Sequence, residues 1–272
     1  MSEANDKLVL ERPTLKAISN YLESKNKALE QQFKALKAQN KKLAEVVATV
    51  LPSVVSIHVI NWHTQKQIAS GTGFFVDSDA IITNYSLVKK LAKSDSIFEE
   101  DDGELVLVST DRGEVRIAQI VFTGNSELDL AILLATDYII DLQTGEETEI
   151  GEPEYPVLEF CPYVDAGQRV IAVAPPMEEF SSFISQGVIQ EICYPDNYGE
   201  KEDEISVIVM RTNAAMNSLS SIYSGGPLIN LDGEVVGVNR YKKEKGEEIN
   251  LAISSEVVDE FLDKFAESFE VD

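Results

Sequence analysis

Histidine, cysteine and tryptophan are scarce in this chain of 272 residues, which holds two, two and one of them. Two cysteines, Cys161 and Cys193, make no disulfide framework in a chain this long. They read as two buried, small apolar side chains in a reducing compartment. Two histidines, His58 and His63, argue against a zinc site built from His and Cys. No metal and no cofactor is therefore expected. Basic residues are also in deficit, 23 Lys+Arg against 47 Asp+Glu, for a formal net charge of −24. Such a chain is repelled by phosphate backbones and by anionic lipid, so neither nucleic acid nor membrane is expected as a partner. No apolar run approaches the ~20 residues that span a bilayer. The first residues, Met1 to Lys7, lack the basic and apolar regions of a secretory signal. The expected location is the cytoplasm. Apolar material is not lacking: 44% of the residues are hydrophobic, enough for a core and too much for a disordered chain.

The charge is unevenly spread. Residues 1–50 carry 9 basic and 6 acidic side chains, while residues 51–272 carry 14 and 41. A net of +3 thus stands against a net of −27. Residues 14–50 contain no Gly and no Pro, with Pro13 before them and Pro52 after. The stretch is rich in Ala, Leu, Lys, Glu and Gln, which favour helix. Leu15, Leu22, Leu29, Leu36, Leu43 and Val50 recur at seven-residue spacing, with Ile18 and Val46 at the ends of the companion row. Lys25, Gln32 and Gln39 fill the middle of that row, and Phe33 widens the apolar stripe. A sustained heptad marks a helix that pairs with others. At 1.5 Å per residue it is roughly 55 Å long. Self-association through this helix is the reading taken, with a helix folded back on its own body as the alternative. Residues 1–13 are expected to be a flexible lead.

From Leu51 the pattern changes to short Val- and Ile-rich runs bounded by Gly, Asp, Asn and Pro. Strands are expected at 53–60, 73–76, 80–83, 104–109, 114–122, 130–135, 168–174, 183–192, 205–212, 227–230 and 234–239. Asp232-Gly233 is a hairpin signal. Many short strands imply a sandwich or barrels. A final helix over 255–269 is expected, with Ser255 as its cap and Val258, Phe261, Leu262, Phe265 and Phe269 as its apolar stripe.

The segment with most chemical content runs from Thr212-Asn213-Ala214-Ala215-Met216-Asn217 to Ser224-Gly225-Gly226-Pro227-Leu228 and on to Gly237-Val238-Asn239. A serine before two glycines suits a nucleophile, because glycine lets backbone and substrate approach closely. The plain alternative is a Gly-rich turn. The segment resembles the nucleophile region of the HtrA family of trypsin-like serine proteases. Pro52-Ser53-Val54-Val55-Ser56-Ile57 resembles that family's first strand. Gly71-Thr72-Gly73-Phe74-Phe75-Val76, leading to Ile82-Thr83-Asn84, resembles the hairpin and strand before its histidine. Asp129-Leu130-Ala131 resembles its Asp-Leu-Ala motif, and Ile249-Asn250-Leu251-Ala252-Ile253 its Ile-Asn-Phe-Ala-Ile segment. The likeness covers about residues 52–268. It implies a mainly β fold of two six-stranded barrels, over 52–150 and 151–254, between a long N-terminal and a short C-terminal helix. A cleft between the barrels is implied as the site, and trimers through N-terminal segments as the assembly. The family usually adds PDZ domains; none is expected before the chain's end at Asp272.

By this resemblance Asp129 and Ser224 take two triad positions, but Ser86 stands where the histidine belongs. A serine hydroxyl is no general base near neutral pH, and without a base Ser224 is a weak nucleophile. The oxyanion region departs as well. Ile222-Tyr223-Ser224 replaces Gly-x-Ser, after a turn, Ser218 to Tyr223, three residues longer than the family's. A β-branched residue resists the left-handed backbone that glycine permits there. The expectation is an inactive, oligomeric relative that binds or scaffolds, with itself and a protein or peptide in the cleft as partners. The alternatives are an endopeptidase with an unusual base, and an assembly component that meets a basic partner through the acidic stretches 99–102 and 141–154. His58 lies in the expected first strand and His63 in a loop just after it, so either would need a new arrangement to reach Ser224 as that base.

Overall fold

In a computed structural model the chain is described except for residues 1, 65, 90, 92–103, 142–143, 145, 150–154, 176–181, 196–204, 215–219, 245–246 and 270–272, with backbone alone for 2–15, 18, 220–221, 243–244 and 247–248. The acidic stretch 99–102, the ends of the 141–154 stretch and the side chains of Leu15 and Ile18 lie outside the described residues.

Two compact units divide the chain, residues 1–45 and 46–272. The first is a single helix. Helix α1 runs from Ser2 to Val50, its last turn belonging to the second unit. The expected start at residue 14 falls inside it, and residues 2–13 are helical. Leu22, Leu29, Phe33 and Leu36 are 54%, 66%, 69% and 55% exposed. Large apolar side chains repeated at that exposure form an apolar stripe along this unit, whereas Val50, the last residue of the same heptad row, lies in the second unit and is buried there, which corrects its place in the expected seam.

The second unit is two closed six-stranded barrels. The first joins β1 (Val54–Asn61), β2 (Lys66–Phe75), β3 (Ala80–Thr83), β4 (Glu104–Ser109), β5 (Val115–Thr123) and β6 (Ala131–Ala135) in the order β1-β2-β3-β6-β5-β4, with β4 returning to β1. Helix α2 (Tyr85–Val88), a single turn, follows β3. A small hairpin, β7 (Tyr138–Ile140) and β8 (Glu147–Glu149), was not foreseen. Its acidic, exposed residues give no period-two signal. The second barrel joins β9 (Arg169–Ala174), β10 (Phe183–Cys193), β11 (Val209–Thr212), β12 (Pro227–Ile229), β13 (Val235–Glu244) and β14 (Glu247–Ser254) in the order β10-β11-β14-β13-β12-β9. All pairings are antiparallel, as short connections permit.

Alternation fills each barrel. Val55, Ile57 and Val59 of β1 join Phe75, Ile81, Val108 and Leu133 in one cluster. Val170, Ala172 and Ala174 of β9 join Ile189, Met210, Leu228 and Val236 in the other. Residues two apart on a strand share a face, and in a small barrel that face is the filled interior. The intervening Val54, Ile171 and Val173 are buried too, because β1 packs on β9 where the barrels meet.

Helix α3 (Ser255–Glu267) ends the fold. Ser254, not Ser255, precedes its first turn, and no side chain caps it. The Ser255 hydroxyl donates instead to the Cys161 carbonyl at 2.5 Å. Phe261 and Phe265 sit 5.1 and 5.6 Å from the ring of Phe122 on β5, so this last helix of the chain also holds the first barrel. Cys161 is partly buried and Cys193 is exposed, which corrects the expectation of two buried thiols. Among the described residues no helix is long and apolar enough to cross a membrane, and no group of His, Cys, Asp and Glu is placed to hold a metal ion.

Candidate functional site

Three loops meet between the barrels. From the first barrel come β3 with α2, which carry Asn84 and Ser86, and the turn between β5 and β6, which carries Asp129. From the second comes the turn ahead of β12, which carries Ser224.

Asp129 is held most firmly. The Asn125 carboxamide oxygen accepts the amides of Glu127 and Leu128 at 2.9 and 2.8 Å, and the Asn125 carbonyl accepts the amide of Asp129 at 2.9 Å. That tight turn leaves Asp129 at φ +52°, the one non-glycine in the left-handed region among the described residues. Aspartate tolerates that region better than most residues. Its carboxylate, 5% exposed as a side chain, accepts the Ser86 amide on Oδ1 at 2.7 Å and the Ser86 hydroxyl on Oδ2 at 3.3 Å. Its carbonyl accepts the Tyr85 amide at 3.2 Å and the Asn84 side-chain amide at 3.1 Å.

Ser224 sits on a turn built by glycine. Gly225 has φ +86°, and a Cβ there would collide with the Thr72 carbonyl oxygen and with Thr83 Oγ1. Only glycine fits. Buried Asn239 braces this turn: its carbonyl accepts the Gly225 amide at 2.8 Å, and its carboxamide donates to the Gly226 and Pro227 carbonyls at 3.1 and 3.0 Å. The Ser224 carbonyl accepts the Thr72 amide at 2.9 Å across the barrels. The Ser224 hydroxyl is 2.6 Å from Asn84 Oδ1, so it donates its proton to a carboxamide oxygen. An amide oxygen is no base for serine at neutral pH.

The structure therefore brings Ser86, Asp129 and Ser224 into one hydrogen-bonded group, with Asn84 as the link. Neither histidine belongs to it. His58 Nδ1 lies 3.1 Å from Gln67 Oε1 on the β1–β2 pair, and His63 is exposed in the turn that follows β1. The oxyanion region is closed off differently from the expected glycine turn. Residues Ser220–Tyr223 form a turn of 3₁₀-helix, Ile222 has no left-handed backbone, and its carbonyl accepts the Thr72 hydroxyl at 2.5 Å. Tyr223 is a core residue, 2% exposed within the second barrel.

Two contributors carry no role in the sequence reading. Asn84 is one, visible there only as part of a motif. Arg240 on β13 is the other. Its Nε lies 3.0 Å from Asp129 Oδ2, and its two terminal nitrogens donate to the Glu127 and Ser126 carbonyls at 2.9 and 3.0 Å. The signal that finds it is charge accounting. A buried carboxylate needs donors or a cation, and Arg240 directly follows the Gly237-Val238-Asn239 segment that packs on the serine turn.

A sequence profile described as the trypsin-like peptidase domain matches residues 71–238. Among curated proteins the chain is similar to the serine protease Do-like HtrB of Bacillus subtilis, 26% identical over 85% of this chain and 48% of that protein. It is 29% identical to the mitochondrial serine protease HTRA2 of Bos taurus, over 81% and 42%. It is 30% identical to serine protease HTRA4 of Mus musculus, over 83% and 41%. The chain thus spans half the length or less of these relatives.

Proposed function

Because the chain belongs to the family of trypsin-like peptidase domains, we propose that it is a member without peptidase activity, working as an oligomeric binding or scaffolding protein. One observation carries this reading. The position expected to hold a general base holds Ser86, whose hydroxyl and amide both turn to Asp129, while Ser224 gives its proton to Asn84. Loss of a triad member leaves an enzyme of this kind about 10⁴- to 10⁶-fold slower. The altered turn at Ile222 removes a second source of rate, worth about 10²- to 10³-fold for one oxyanion donor.

Self-association rests on the exposed heptad stripe of α1, and a trimer is the assembly favoured by likeness to HtrA proteases. The cleft between the barrels is the proposed seat for an extended peptide. Two unpaired cysteines support a reducing compartment such as the cytoplasm. The direct test is a fluorophosphonate probe on the purified chain. No labelling above that of Ser224→Ala is expected. Stoichiometric labelling of Ser224 would overturn the reading in favour of an endopeptidase with an unusual base.

A further inference from the structure

We infer that Arg240 has taken over the carboxylate that a catalytic histidine would use, and that the relic site now serves as a joint between the barrels. The inference rests on the non-catalytic reading above.

The geometry is that of a clamp rather than a surface ion pair. A guanidinium offers a planar fork of donors, and here the fork is filled by three acceptors on one loop: the Asp129 carboxylate and the Glu127 and Ser126 carbonyls. The Arg240 side chain is 19% exposed and that of Asp129 is 5%, so solvent screens the pair little. The contact spans the two barrels, from β13 of the second to the β5–β6 turn of the first. It has neighbours that do the same work. The Ser224 hydroxyl reaches Asn84, the Thr72 amide reaches the Ser224 carbonyl, and the Thr72 hydroxyl reaches the Ile222 carbonyl.

The clamp also holds a strained turn. Asp129 stays at φ +52° only while its surroundings over-determine it. Arg240 grips that turn at Ser126, Glu127 and Asp129 with its side chain alone, since the pairing of β13 uses its backbone with Leu251. Arg240 is thus a positioning residue. It fixes the loop that lies under Ser86, and with it the floor of the cleft.

The barrels have a second attachment, the Phe122, Phe261 and Phe265 cluster. Removal of Arg240 is therefore expected to loosen the joint locally and leave the barrels folded. The test is amide hydrogen exchange on the whole chain, comparing Arg240→Gln with the native protein. Hydrogen bonds to charged groups are worth enough to change local opening about 10- to 100-fold. The expected result is a loss of protection of that size at the amides of Ser86, Leu128 and Asp129, with β1, β9 and α3 unchanged. Arg240→Lys, which keeps the charge but not the fork, should fall between. The pair should be non-additive: Asp129→Asn combined with Arg240→Gln should open the loop by less than the sum of the two single changes. Unchanged protection in the loop overturns the inference. So does loosening spread evenly through both barrels, or full recovery by lysine. Because exchange is read rather than reactivity, a finding that Ser224 is reactive would refute inactivity without deciding the role of Arg240.

Discussion

Placing a histidine at position 86 is the sharpest test of the proposal that this site lacks a general base. Ser86→His puts an imidazole on α2, where residue 86 is exposed and its amide is already fixed to Asp129 Oδ1 at 2.7 Å. A restored base alone would ordinarily return several orders of magnitude. Here Arg240 contests the other carboxylate oxygen, with Nε at 3.0 Å. Its cation also opposes the imidazolium that forms as serine attacks. Two like charges about 4 Å apart at an effective dielectric of about 20 repel by about 4 kcal/mol, roughly 10³-fold in rate. Ser86→His is thus expected to gain little, and Ser86→His with Arg240→Thr to gain about 10²- to 10³-fold over it. Adding Ile222→Gly frees the backbone ahead of Ser224 and is expected to contribute up to about another 10²-fold. The assay is the second-order rate of fluorophosphonate labelling at Ser224, with Ser224→Ala as the background for every variant. If Ser86→His alone labels as fast as the triple variant, neither Arg240 nor Ile222 obstructs the chemistry and the electrostatic argument is wrong.

Other consequences are as direct. Gly225→Ala places a Cβ against the Thr72 carbonyl and Thr83 Oγ1 at φ +86°; a cost of about 3 kcal/mol is expected, a fall in melting temperature of about 6–12 °C, and an unchanged melting curve would refute the packing described for the serine turn. Tyr155 stacks on Phe75 and donates to Glu114 at 2.5 Å; burial first, then the Glu114 carboxylate, pushes its hydroxyl up to about 12. The unfolded chain loses that proton near pH 10, so stability present below pH 10 should fall by about 2–3 kcal/mol between pH 10 and 12. Tyr155→Phe should remove that part of the alkaline slope in denaturant titrations, and an identical slope would count against it. Leu29→Lys with Leu36→Lys should convert the oligomer to monomer in sedimentation velocity while leaving the melting of the barrels unchanged, because both side chains are exposed in the single chain. A monomeric native chain would refute self-association.

What the sequence makes legible, and what it does not, divides along physical lines. Strands 80–83 and 104–109 fall where the Val and Ile runs place them, and the Asp232-Gly233 turn forms with Gly233 at φ +91°. These depend on local pattern and backbone conformation, which neighbouring residues encode. The early half of β2 and the start of β14 are weakly set apart by composition, since Ile68 and Ile249 are the large apolar residues of Lys66 to Thr72 and of Glu247 to Asn250. They become strands by pairing with one long neighbour each, β1 for the first and β13 for the second. Ser86, Asp129 and Ser224 were found as positions in motifs, and their meeting follows from the fold that those motifs share. The contacts that decide what the site now does were not legible in that way. Ser224 to Asn84 spans 140 positions and Arg240 to Glu127 spans 113. No spacing rule links such pairs. A departure from a motif is visible in sequence as one altered residue, whereas its compensation lies wherever the fold brings a suitable group. For a buried carboxylate that group must be a donor or a cation, because a buried charge left unpaired is costly. Arg240 meets that requirement from the far barrel, so the group that satisfies the Asp129 carboxylate also ties the two barrels together.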